Sequence, residues 1–430
     1  MAWPVRYKIV GLLTLGTMIN YIDRVNISVA APDIMRETGW DKAQFGAVFS
    51  AFLIGYALLQ FPGGALADRW SPRKVLALSC IGFSLFTALT PLGQQAFFLL
   101  LVLRFLVGAC ESSSLPSLTT LNARWTPRHE FSRAQTVGIS GASLGQMIAY
   151  PSTAWIIEHF SWEMVFFANA CVGLLWVLLW LTYATDTPRE HTAVSAEEVQ
   201  EIERGRASVE THVPLSLRSI LKSPSVMCLC FSYMLFGFIA WIFILWFPTY
   251  LVEARGLSRM HMGLVGMLPT GASFLGIISG GVLSDYLLKT GWNARSARAR
   301  VPGLCIGLSL PLLLAAVTTP SVSLAIVLFV CFYFTLSLSV AGFWTLPLEL
   351  HPQAVGAISG VMNMAGNCAG IFGPLTAGII VARTGSWTLP FYLVAALGVI
   401  CSLTLALFVS TKPVTINGMP AVVSLHDATE

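Results

Sequence analysis

Four ionisable residues stand where ionisable residues are costly. Asp23 and Arg24 lie inside an apolar run from about residue 9 to 30, and Arg104 and Glu111 inside another from about 96 to 121. Charge at such a depth in a membrane span usually marks function. The set is matched, two acids and two bases. An arginine stays charged and can grip a carboxylate through two parallel hydrogen bonds. A dry site favours a neutral carboxyl, and a neighbouring guanidinium favours the ionised form. A carboxyl poised between these influences can load and release a proton. The chemistry on offer is therefore anion binding coupled to proton transfer. A static ion-pair network is the alternative, but apolar packing would hold helices together at lower cost.

Spacing constrains the geometry. Arg104 and Glu111 are seven residues apart, so on a helix they share a face about 10 Å apart along the axis. Asp23 and Arg24 diverge by about 100°. Each is expected to find its partner on the run that carries Arg104 and Glu111.

The elements that must position these groups are membrane helices. Of 430 residues, 55% are hydrophobic and 11% charged, against about 25% charged in soluble domains. Runs long enough to cross the hydrocarbon number twelve, at about 9–30, 44–67, 75–93, 96–121, 133–157, 163–184, 225–251, 261–287, 301–318, 321–349, 355–382 and 387–410. Backbone satisfaction in lipid makes them helices. The expected fold is an all-α membrane protein with twelve transmembrane helices in two six-helix pseudo-repeats. Residues 1–184 form one bundle, 185–224 a cytoplasmic linker, 225–411 the second bundle and 412–430 a cytoplasmic tail. Within the linker, Glu197, Glu198, Glu201, Glu203, Arg204 and Arg206 read as a solvated stretch with a short amphipathic helix. Eighteen Lys and Arg fall on one side of the expected spans and five on the other, which places both termini in the cytoplasm. The formal charge of +4 is weak beside that asymmetry.

All nine cysteines fall in apolar runs, a pattern of buried thiols without a disulfide framework. The first run is span-length and lacks a small-residue cleavage site, so no signal peptide is expected. No catalytic triad, phosphate loop, metal-ligand spacing or nucleic-acid patch is present in the sequence. An enzyme, a bound cofactor and a nucleic-acid partner are not expected.

The halves repeat. Residues 39–68 and 256–285 align without a gap at an offset of 217, pairing Gly39 with Gly256, Gly63 and Gly64 with Gly280 and Gly281, and Asp68 with Asp285. Pro151 similarly pairs with Pro374. Parallel repeats with a site at the membrane midplane are a transporter architecture.

The stretch from Gly64 through Asp68 and Arg69 to Arg73 and Lys74 resembles the loop 2–3 signature of the Major Facilitator Superfamily, with Ser71 at the usual glycine. Its acid and bases, echoed by Asp285, read as a conformational latch at helix ends, formed by Asp68, Arg69, Arg73 and Asp285. Three further stretches resemble the anion:cation symporter family, which includes bacterial sugar-acid transporters. They are Asn20-Tyr21-Ile22-Asp23-Arg24, Tyr56 through Gln60 to Gly64, and Arg104 through Gly108 to Glu111 with Pro116. That resemblance implies that Arg24 binds the substrate carboxylate. Asp23 and Glu111 would carry protons, and Arg104 would switch between them.

Candidate substrate contacts around the cluster are Tyr21, Tyr56, Gln60 and Gln146, with Tyr150 one turn beyond Gln146. Trp344, Asn363 and Asn367 are the candidates in the second half. Two positions depart from the family pattern: Ala142, where sugar-acid members can carry glutamine, and Ala341, where a small hydroxyl residue precedes the tryptophan. Glu349 reads as interfacial. Glycines 138, 141 and 145, and 366, 370, 373 and 378, suit helix contacts that slide. The expectation is a monomeric transporter in a bacterial inner membrane, importing an organic anion, foremost a sugar acid, with the proton as coupling ion. An aromatic or dicarboxylic acid is the alternative substrate. A membrane sensor that binds without translocating is the alternative class.

Overall fold

The structure is a computed structural model that describes residues 4–204, 222–351 and 355–410. Among the described residues it is helical, with no strand. In chain order the helices are α1 (Val5–Thr38), α2 (Lys42–Arg69), α3 (Pro72–Leu89), α4 (Phe97–Glu111), α5 (Ser114–Trp125), α6 (Arg128–His159) and α7 (Trp162–Tyr183). After the short α8 (Ala196–Arg204) come α9 (Pro224–Glu253), α10 (Arg259–Lys289), α11 (Val301–Thr318), α12 (Val322–Ser337), α13 (Val340–Leu350), α14 (Val355–Thr384) and α15 (Thr388–Leu403). Among the described residues, ten spans are long and apolar enough to cross a membrane, with α4–α5 and α12–α13 each counting as one. The helices α1 and α6 carry the two remaining expected runs. They have 34 and 32 residues but are too polar to meet the same criterion.

Local sequence explains the helix ends. Gly39 closes α1 in the left-handed conformation at φ 74°, and its repeat partner Gly256 takes φ 67°. The Asp41 carboxylate accepts from the Gln44 N–H at 2.8 Å while the Gln44 side chain accepts from the Asp41 N–H at 2.9 Å, a capping box that starts α2. Ser71 caps α3 ahead of Pro72.

The fourth expected span is broken between α4 and α5, at Ser112–Ser113, and the tenth between α12 and α13, at Leu338–Ser339. A break in lipid leaves carbonyls to satisfy. Hydroxyls do so here. Ser79 donates to the Cys110 carbonyl at 2.6 Å, Ser112 to that of Ala109 at 2.7 Å, and Ser339 to that of Leu336 at 2.6 Å. A Cβ on Gly63 would stand 2.7 Å from that of Ser113, so only glycine admits this approach of α2 to the break.

The described residues divide into two compact units. One is built on the first half of the chain with Phe243–Leu268 and Pro374–Gly385 added, and the other on the rest. In the first unit α1 lies along α6 and α7, α2 along α4, and α3 between α4 and α7. The described part of the linker is not simply solvated. The Glu198 carboxylate accepts from the backbone N–H groups of Val5 and Arg6 at 3.2 and 3.0 Å, capping α1. The buried Arg6 guanidinium bridges Glu130 at 3.0 Å and Glu201 at 2.8 Å. Charge-assisted bonds hold α8 to the starts of α1 and α6.

Candidate functional site

The four ionisable residues meet in the first unit as two crossed pairs. Arg24 Nε donates to Glu111 Oε2 at 2.7 Å, with Arg24 3% exposed and Glu111 fully buried. Arg104 Nη1 lies 4.0 Å from Asp23 Oδ2, with both residues buried. The neighbours in sequence thus face different partners, and both partners belong to α4. The first pair is a formed hydrogen bond; the second is too long to be one.

Each acid keeps one oxygen open. Asp23 Oδ1 accepts from the Thr87 hydroxyl at 2.9 Å, while Oδ2 has no hydrogen-bond partner. Glu111 Oε2 is taken by Arg24, and Oε1 has none. Arg104 Nε and Nη1 also lack partners. Buried polar atoms are rarely left so. Arg104 is a loosely held cation with open acceptors on two acids of its own cluster.

Aromatic faces hold the guanidinium groups. The Arg24 carbon stands 4.5 Å above the Tyr21 ring and 4.6 Å above that of Tyr56. The Phe52 ring is near both arginines, 5.4 Å from the Arg24 carbon and 5.2 Å from that of Arg104. A ring quadrupole attracts both cations. Phe52 and Thr87 were not legible as site residues. A phenylalanine and a threonine on apolar helices read as packing, and only the fold shows what they face.

A narrow cleft reaches Arg24 and Tyr21 past Asn20, Thr17 and Ser114. Gln60 and Gln146 are half-buried on α2 and α6. Tyr150 is buried against Gly263 and Gly266, which makes it a packing residue. The second unit holds Trp344, 41% exposed and edge-on to Tyr233 at 6.1 Å. Asn363 there is half-buried and Asn367 buried. Glu349 pairs with Arg298.

Of the latch residues, Arg73 donates to the Leu181 carbonyl near the end of α7 at 2.5 Å, and Arg69 and Asp285 are exposed. The Asp68 side chain lies outside the described residues. Sequence reasoning missed Asp186, which accepts from the Ser71 hydroxyl at 2.5 Å and the Arg73 N–H at 3.0 Å.

At the Thr38 end of the first unit, Asp33 accepts from Arg36 at 2.8 Å and from Arg259, and Lys42 pairs with Glu253 at 3.0 Å. Ser28 donates to the Leu245 carbonyl at 2.7 Å, and the Trp246 ring N–H to that of Pro374 at 2.8 Å.

The family profile of the Major Facilitator Superfamily matches residues 13–374. The chain belongs to the Major Facilitator Superfamily. Members of this superfamily are membrane transporters, so the crossed pairs belong to a transporter and not to an enzyme. This superfamily member is 36% identical over 397 residues to the "Probable sulfoacetate transporter SauU" of Cupriavidus necator, covering 91% of each chain. It is 32% identical to the hexuronate transporter of Bacillus subtilis, covering 97% of this chain and 96% of that one. It is 33% identical to the "Probable galactarate/D-glucarate transporter GudP" of the same organism, covering 89% and 87%. The last two relatives agree with the sugar-acid resemblance of the motifs.

Two solved structures share the fold. A bacterial homologue of the human lysosomal transporter Spinster superposes with a TM-score of 0.77 at 18% identity, covering 94% of this chain and 97% of that one. A D-xylose–proton symporter superposes with a TM-score of 0.73 at 17% identity, covering 95% and 99%.

Proposed function

We propose that the protein imports an organic anion together with protons by alternating access, with a sugar acid as the first substrate class. The observation that supports this best is the crossed pairing. Arg24 is held by Glu111 and by two tyrosine rings, ready to exchange one carboxylate for another. An incoming substrate carboxylate displaces Glu111, whose released oxygens then take a proton or the free donors of Arg104. Protonation of Asp23 frees Arg104 to make that move. Anion and proton are then coupled, because each state of Arg104 requires one acid to be neutral or otherwise paired. Tyr21, Tyr56, Gln60 and Gln146 serve the substrate from one half, and Trp344, Asn363 and Asn367 from the other.

The setting is a bacterial inner membrane. The protein is monomeric, with two six-helix bundles, both termini in the cytoplasm and Asp68, Arg69, Arg73 and Asp285 latching the cytoplasmic ends. A second reading is a small sulfonated carboxylate. It is favoured by the sulfoacetate relative and by Ala142 and Ala341, which offer a sugar's hydroxyl groups nothing to bond.

The test is uptake of labelled D-glucarate, D-galactarate, D-glucuronate and sulfoacetate by proteoliposomes under an imposed inward proton gradient. Gradient-driven accumulation of one or more of these anions is expected, and the preferred anion decides between the readings. Uptake that ignores the gradient overturns the coupling.

A further inference from the structure

We propose that Thr87 is a positioning residue for the proton site: by donating to Asp23 Oδ1 it leaves Oδ2 as the oxygen that gains and loses the proton. The proposal rests on the coupling reading above and names the atom on which it turns. Thr87 is 1% exposed on α3, and its hydroxyl reaches across to Asp23 Oδ1 at 2.9 Å. Threonines on these helices ordinarily donate to their own backbone, four residues back. Thr14 donates to the Val10 carbonyl at 2.8 Å, Thr17 to that of Leu13 at 3.1 Å, and Thr90 to that of Phe86 at 3.0 Å. Thr87 gives its single hydrogen to another helix instead.

The consequence for Asp23 is an asymmetric carboxyl. A proton on Oδ1 would oppose the Thr87 hydrogen and force that hydroxyl to turn away. A proton on Oδ2 meets no such conflict. That oxygen has no hydrogen-bond partner and looks across 4.0 Å at an Arg104 nitrogen that has none either. With Oδ2 ionised, Arg104 is drawn to it. With Oδ2 protonated, that attraction is lost, while the Thr87 bond to Oδ1 is kept in both states. Thr87 thereby holds the carboxyl plane fixed so that one proton decides where Arg104 points. The charged and titratable groups acting on Asp23 are Arg24 on its own helix, Arg104 and Glu111 from α4, and the Cys80 thiol two turns before Thr87 on α3.

The test needs no substrate. Full-length protein in lipid nanodiscs is titrated with protons alone and read by infrared difference spectroscopy, with the Asp23 carboxyl band assigned by its loss in Asp23→Asn and by labelled aspartate. In Thr87→Val the C=O stretch of protonated Asp23 is expected at higher frequency, because that carbonyl is Oδ1 and has lost its donor. Its titration midpoint is expected to move to higher pH by about one unit, the worth of one hydrogen bond to a carboxylate. Thr87→Ser keeps the hydroxyl and is expected to keep the wild-type band and midpoint. A Thr87→Val band that superposes on wild type overturns the proposal, as does a Thr87→Ser band that shifts like the valine. If wild-type Asp23 shows no titration from pH 4 to 10, the proton-carrying role of Asp23 falls first, and the assignment of Oδ2 with it.

Discussion

The fourth span, α4 with α5, and the tenth, α12 with α13, share one construction and carry different chemistry. Both break near their middle, both satisfy the break with serine hydroxyls, and in both a glycine of a neighbouring helix, Gly63 or its repeat partner Gly280, admits the approach. Yet α4 carries Arg104 and Glu111 just ahead of its break, and α13 carries Trp344 just after its own. Broken helices at corresponding positions of two repeats point to a transport site. The two repeats keep the backbone device while their side chains diverge. The first half holds the charges, whose pairing costs too much to vary freely. The second offers aromatic and amide groups, which can change with the substrate.

Four substitutions break or sharpen that division. Arg24→Ala has the largest expected effect. It strands Glu111 as a buried unpaired acid, and removing one partner of such a pair costs about 3–5 kcal/mol. Uptake and binding are expected to fall by on the order of a hundredfold or more, read by uptake and by thermal shift against the transported anion. Retained affinity would place the carboxylate elsewhere. Gly63→Ala and Gly280→Ala sharpen the structural side. Each forces a methyl into a helix crossing at a cost of about 1–3 kcal/mol, so both should lower the melting temperature by comparable amounts. One tolerated and one not would end the equivalence of the two breaks. Trp344→Phe is the mildest. A rise of about threefold in the half-saturating substrate concentration is expected, with the pH profile of uptake unchanged. A shifted profile would mean that the second half takes part in proton coupling.

Much of this was legible in the sequence, for identifiable reasons. Gly39 and Gly256 declared the repeat, and both take the left-handed conformation that only glycine adopts freely. The seven-residue spacing of Arg104 and Glu111, and the adjacency of Asp23 and Arg24, sufficed to send Asp23 and Arg24 to partners on α4, because helical periodicity is rigid; which acid meets which base came from the structure. What stayed hidden depends on contacts between segments distant in sequence. Thr87 looks like any hydroxyl on an apolar helix, and Phe52 like any packing residue. The run Ser112–Ser114 contains neither glycine nor proline, so the break it makes has no local signature. Glu198 and Glu201 read as solvated because Arg6, which meets both, lies some 190 residues earlier.

The measurement that bears most directly on the coupling is a comparison of two modes of transport in Glu111→Gln. The glutamine keeps the shape and a hydrogen-bond acceptor for Arg24 but cannot cycle a proton. In proteoliposomes, counterflow of the transported anion should persist, while accumulation driven by an imposed proton gradient should be lost. Accumulation at the wild-type level would contradict the account.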